Sequence, residues 1–246
     1  MSDTDQNAIR LTPEGRLLIA TLNRPPHHLL VTETFEALNA CLSAFLAGEF
    51  DLLLITASGS FFSKGFDRQL MQSCKDPASF RQGLALMNDV LTRLAHSPKP
   101  VIAAINGHCF GGGLELALAC HLRLCAQKVR IGLPEIWGGI VPGLGGIHRL
   151  TRLLGQAKAL ELMALGDLVT ADEALRLNLV NRVLPRENFM SHVRAFAGAL
   201  LTVNQDCMRE LIRLVGNDSH RSESENLREG AESFSRMAAW LVPPER

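Results

Sequence analysis

Three consecutive glycines, Gly111-Gly112-Gly113, open directly onto the apolar run 114–120, and a single glutamate, Glu115, interrupts that run. Glycine costs a helix about 1 kcal/mol relative to alanine, so tight turning alone is a weak reason for three in a row. A backbone without Cβ lets a ligand come close, and the N–H groups of a helix start favour partial negative charge.

The same design occurs twice. A strand expected over 52–57 leads into Ser58-Gly59-Ser60-Phe61-Phe62-Ser63-Lys64-Gly65, and a strand over 101–105 leads into Asn106-Gly107-His108-Cys109-Phe110 and the three glycines. The first is apolar on both faces, the pattern of a sheet covered on each side. Two N–H groups converging from such loops on one carbonyl oxygen would stabilise an enolate or oxyanion.

Around these segments strand and helix signals alternate. A strand over 17–22 is closed by Asn23-Arg24-Pro25-Pro26, and Phe35, Leu38, Leu42 and Phe45 follow Thr32 at helical spacing. Further signals are a helical start over 67–72, a helix over 80–94 and a strand over 122–126. Helical patterns return over 147–154, 157–165 and 171–177. Beyond Pro185 only helix remains, over 189–201, 204–215 and 223–240. This order predicts an α/β body, residues 1–185, followed by a helical region, residues 186–246.

Composition narrows the function classes. Lys plus Arg equals Asp plus Glu at 25 each, so no net field draws the chain to nucleic acid or anionic membrane, and neither is expected as a partner. A local basic patch remains compatible with a phosphorylated ligand. No apolar stretch approaches the roughly 20 residues of a membrane span. The polar, acidic start shows no signal-peptide pattern, so a cytoplasmic location is expected. Cys41, Cys74, Cys109, Cys120, Cys125 and Cys207 form no CxxC pair and read as reduced thiols. His27-His28 is the one histidine pair, and adjacent side chains diverge, so no metal site is expected. Neither GxxxxGK[ST] nor GxSxG occurs, and no GxGxxG falls between a strand and a helix.

Glu115 faces burial within its apolar run, and burial raises a carboxyl pKa. Glu135 follows Pro134 in another apolar, glycine-rich stretch, 131–146. Each alone reads more readily as a structural or surface carboxylate than as a catalyst. Together, beside a candidate oxyanion site, they match what general acid–base chemistry next to a carbonyl requires.

Asn106-Gly107, Gly111-Gly112-Gly113-Leu114-Glu115, Leu133-Pro134-Glu135, Pro142-Gly143-Leu144-Gly145-Gly146 and Arg149-Leu150 together resemble the signature of the enoyl-CoA hydratase/isomerase (crotonase) family. Phe62-Ser63-Lys64-Gly65-Phe66-Asp67 is similar to its oxyanion-loop motif, and Leu22-Asn23-Arg24-Pro25 to its opening turn. The pattern continues through Ala171-Asp172-Glu173-Ala174 to Leu179-Val180-Asn181-Arg182-Val183. The resemblance implies a crotonase-like (ββα)n spiral core with a C-terminal helical trimerisation region, assembled as a homotrimer or a hexamer.

It further implies an acyl-CoA thioester substrate, with coenzyme A entering as part of that substrate and no other cofactor. Ser63 and Gly112 would supply the oxyanion-hole N–H groups. Glu115 would activate water for attack at Cβ, and Glu135 would deliver a proton to Cα. Lys64, Gly65, Phe66, Asp67, Gly111, Trp137 and Gly143 are the expected substrate-binding positions. Several residues depart from the family's pattern: His28 where an asparagine is common, Lys64 and Phe66 where small residues are frequent, Trp137 near aliphatic pocket positions, and His121 where an aspartate is common. Three readings follow: hydration of a 2-enoyl-CoA, isomerase or other chemistry on another thioester such as a carrier-bound one, and a catalytically idle scaffold.

Overall fold

The computed structural model describes residues 7–67, 69, 76–217 and 221–239. Its strands form two sheets. The larger contains, in spatial order, β1 (Ile9–Glu14), β2 (Leu17–Leu22), β3 (Leu52–Thr56), β5 (Val101–Ile105), β7 (Leu122–Ala126) and β10 (Arg182–Leu184). All its pairs are parallel except β1 with β2. The smaller contains β4 (Phe61–Ser63), β6 (His108–Phe110), β8 (Arg130–Gly132) and β9 (Val169–Thr170), the first three parallel and the last antiparallel.

Each turn of the chain delivers one strand to each sheet: β3 then β4, β5 then β6, β7 then β8. Helices α2 (Pro77–Ala95), α3 (Gly112–Ala119) and α4 (Gly146–Leu154) come after these pairs. This is the expected α/β spiral of ββα units. Its second strands were not expected, because 58–65 and 107–113 read as loops. Runs of only three residues show too little alternation to register as strands.

The core explains the larger sheet. Every residue of β3 and β5 is buried. Helix α1 (Thr32–Ala47) buries Phe35, Leu38, Cys41, Leu42 and Phe45, one face at helical spacing. Helix α2 starts at Pro77 rather than at 80. The Asp76 carboxylate accepts the N–H groups of Ala78 and Ser79, and proline suits the first helical turn. Helix α3 is buried at all eight positions, which encloses Glu115.

After α5 (Gln156–Leu165) and α6 (Ala171–Arg176), helix α7 (Phe189–Thr202) buries Phe189, Val193 and Ala197 in the same core. Helices α8 (Gln205–Asn217) and α9 (Glu223–Met237) are joined through Arg213, which bonds Glu210 on one helix and Ser233 on the other. Of the helical start expected over 67–72, residues 68 and 70–72 lie outside the described residues, as do Cys74 and Trp240. Among the described residues no helix is long and apolar enough to cross a membrane.

Candidate active site

The parallel strands β4, β6 and β8 lie side by side, and the chain leaving each one enters the same cavity. Phe66 lies just past β4, Gly112 and Glu115 just past β6, and Glu135 just past β8. The cavity has a volume of about 450 Å³ and is also lined by Lys64, Gly65, Gly111 and Gly143. Phe80 and Leu84 of α2, with Ile140 and Val141, form its apolar wall. A neighbouring cavity of about 480 Å³ shares Lys64, Phe66 and Pro134 and adds His27, Leu29, Asp67 and Phe110.

The first two loops approach until their backbones touch. Gly65 has φ +103°, and a Cβ there would lie 3.0 Å from the Phe110 carbonyl oxygen and 3.2 Å from the Gly112 nitrogen. Gly111 has φ +53°, and a Cβ there would lie 2.9 Å from Oε1 of Glu135. Both positions therefore require glycine for conformation and for space.

Ser63 does not face the cavity. It is fully buried, its hydroxyl donates to the His28 carbonyl at 2.7 Å, and the same oxygen accepts the Gly65 N–H at 3.1 Å. The Lys64 N–H is also used, donating to the His27 carbonyl. Leu30 bridges the next residues, donating to the Gly65 carbonyl and accepting from the Asp67 N–H. That leaves the Phe66 N–H on the opposite side, without an acceptor among the described residues. The Gly112 N–H, at the open end of α3, likewise has none. The Phe66 nitrogen is 3.3 Å from the position of a Cβ on Gly112. Phe66 and Gly112 are thus the cavity-lining residues in these two loops whose N–H groups have no acceptor among the described residues, whereas Ser63, the expected donor, does not line the cavity.

His28 braces this loop. Its buried ring accepts the Arg24 N–H at Nδ1 and places Nε2 2.9 Å from the Ser58 carbonyl, which fixes the proton on Nε2. Burial pushes its pKa down, keeping it neutral.

Glu115 is 2% exposed. Its Oε1 accepts the N–H groups of Leu144 and Gly146, each at 2.8 Å, while Oε2 has no hydrogen bond among the described residues. Burial pushes its pKa up, opposed by those two N–H groups and by the Arg149 guanidinium. Arg149 donates to the Leu144 carbonyl, and Asn88 of α2 donates to the Gly143 carbonyl, so the 143–146 loop is held from both sides. Asn88 carries no sequence signal, since its partner lies 55 residues away. Glu135 opens a short 3-10 turn, Glu135–Gly138, and is half-buried.

The expected substrate positions separate. Lys64, Gly65, Phe66, Gly111 and Gly143 line the main cavity, whereas Asp67 lines only the neighbouring one. Trp137 lines neither; it is 78% exposed and lies over Gly166. Its expected place in the acyl pocket is a correction: the 3-10 turn sends the side chain outward, and Ile140 and Val141 provide the wall instead.

The sequence model of a family described as enoyl-CoA hydratase/isomerase matches residues 13–239. The chain is 35% identical to a crotonyl-CoA hydratase of Syntrophomonas wolfei over 218 residues, 87% of this chain and 83% of that protein. It is 33% identical to a short-chain-enoyl-CoA hydratase of Clostridium acetobutylicum over 200 residues, 80% of this chain and 76% of that one. The crystal structure of an enoyl-CoA hydratase from Thermoplasma volcanium superposes with a TM-score of 0.90 at 26% identity, covering 99% of this chain and 96% of that one. With strand pairs split between two sheets and a two-glutamate cavity at their ends, the chain belongs to the enoyl-CoA hydratase/isomerase (crotonase) family.

Proposed function

We propose that the protein hydrates 2-enoyl-CoA thioesters reversibly. The observation that carries this reading is the meeting of two carboxylates and two acceptor-free N–H groups in one cavity. The N–H groups of Phe66 and Gly112 receive the thioester oxygen and stabilise the negative charge that builds there as the enolate forms. Glu115, fixed through Oε1, presents Oε2 to a water molecule and draws off its proton as the oxygen attacks Cβ. Glu135 delivers a proton to Cα, so that water is added across the double bond with no redox change. The two carboxyls act as a coupled pair. No metal or redox group is needed in this scheme.

The apolar wall of Phe80, Leu84, Ile140 and Val141 suits the acyl chain, and Lys64, exposed at the junction of the two cavities, suits the coenzyme A phosphates. A cytoplasmic homotrimer or hexamer, with residues 1–185 as core and 186–246 as the assembling region, completes the proposal. A monomer in solution scattering would contradict that assembly.

The test is crotonyl-CoA in heavy-oxygen water, with products followed by mass spectrometry. Solvent oxygen in a 3-hydroxyacyl product is expected. Double-bond migration without solvent oxygen, or turnover confined to carrier-bound thioesters, would overturn the proposal.

A further inference from the structure

Glu115 takes its position from the 143–146 loop, because its Oε1 accepts the N–H groups of Leu144 and Gly146. A trans peptide unit is planar, so an N–H and the carbonyl of the preceding residue point in opposite directions and turn together. The Leu144 N–H is therefore aimed by whatever holds the Gly143 carbonyl, and the Gly146 N–H by whatever holds the Gly145 carbonyl. The second peptide is held locally: the Gly145 carbonyl accepts the Arg149 N–H at 3.0 Å, the opening hydrogen bond of α4. The first is held from another element. Nδ2 of Asn88, on α2, donates to the Gly143 carbonyl at 2.9 Å, across 55 residues of sequence.

Asn88 is itself fixed. The same Nδ2 donates to the Leu84 carbonyl, one helical turn back, at 3.1 Å, which employs both amide hydrogens and leaves the side chain one orientation. Met87, Val90 and Leu91, on the same stretch of α2, are buried in the core and seat the helix there. Both acceptors are backbone carbonyls, so the tie does not depend on which side chain stands at 84. Asn88 lines neither the main cavity nor its neighbour. Its route to the reacting atoms runs through one peptide unit and one carboxylate.

We infer, on the hydration reading above, that Asn88 is a positioning residue for Glu115: it orients the Gly143–Leu144 peptide so that the carboxylate presents Oε2 to the attacking water. Without this tie the peptide plane is free to turn, since Gly143 has no side chain to oppose rotation. Oε1 then keeps the Gly146 N–H alone, and the carboxylate pivots about that single bond.

The test is a double-mutant cycle read by steady-state hydration of crotonyl-CoA: the parent protein, Asn88→Ala, Glu115→Gln and the double variant. Alanine is the best helix former, so Asn88→Ala keeps α2 intact. Asn88→Leu, which keeps the side-chain bulk and removes both donors, is measured beside it. Each is expected to lower kcat about 10- to 100-fold with KM within about threefold, the pattern of a misplaced reacting group rather than of a lost binding contact. In the Glu115→Gln background the same changes are expected to cost less than about twofold, because no base is left to misplace. Unchanged kcat in either folded variant, a loss confined to KM, or an equal loss with and without Glu115 overturns the positioning role. If Glu115→Gln itself kept the parent's turnover, the hydration reading would fall and this role with it. An impaired Glu115→Gln beside a fully active Asn88→Ala removes the positioning role alone.

Discussion

Gly146 and Glu115 meet so closely that a Cβ on the glycine would lie 2.8 Å from the carboxylate oxygen that the glycine's own N–H already holds. The carboxylate and its holder have one workable arrangement. Gly146→Ala is therefore expected to displace the Glu115 side chain and lower kcat about 100-fold, since a shift of ~1 Å in a reacting group has that effect. Steady-state hydration of crotonyl-CoA reads it, and a variant with unchanged kcat would refute the positional role.

The two glutamates are expected to separate catalysis from binding. Glu115→Gln and Glu135→Gln should each lower turnover by about 10²- to 10⁴-fold, the usual worth of a positioned acid or base. Calorimetric affinity for a CoA thioester should stay within a few-fold. If both variants retained full turnover, the acid–base reading would fall.

Glu115 also predicts a pH signature. Its carboxyl is raised by burial, so the folded state holds its proton more tightly than the unfolded state does. The resulting stabilisation is present below the unfolded pKa and lost as pH rises through the folded pKa. The glutamine variant lacks that loss. Its Tm, relative to the parent protein, should therefore increase as pH rises above the usual carboxylate range. A pH-independent difference in scanning calorimetry would show that the carboxyl is not raised.

Ser63→Ala removes a buried hydroxyl that donates to His28 and accepts from Gly65. Leaving those backbone groups unsatisfied is expected to destabilise the fold by about 1–3 kcal/mol. Urea unfolding measures this. Because the Ser63 side chain stays outside the cavity, substrate affinity at a temperature where the variant is folded should change far less than stability does.

The sequence made some of these relationships readable and concealed others. Strands such as Leu52–Thr56 are apolar on both faces but for the closing threonine, and Glu115 stands out as a charge in an apolar helix, so both were visible. The donor in the first loop was not. Which N–H faces the cavity depends on Leu30 pairing with Gly65 and Asp67, a contact between segments that are distant in sequence. The outward course of Trp137 follows from a 3-10 turn ended by Gly139 in the left-handed region, which propensity does not distinguish from a helix start. The Asn88 tie to Gly143 is equally non-local.

Strands β4 and β6 enter the small sheet directly from β3 and β5 of the large one, over linkers of only a few residues. The donor loops are consequently mounted on a frame with almost no slack, whereas the Phe80 and Leu84 wall belongs to a helix that can be resurfaced without touching that frame. Chemistry and chain-length preference are therefore separable inheritances: an engineer, or a lineage, can trade one wall for another while the machinery beside it stays as it is.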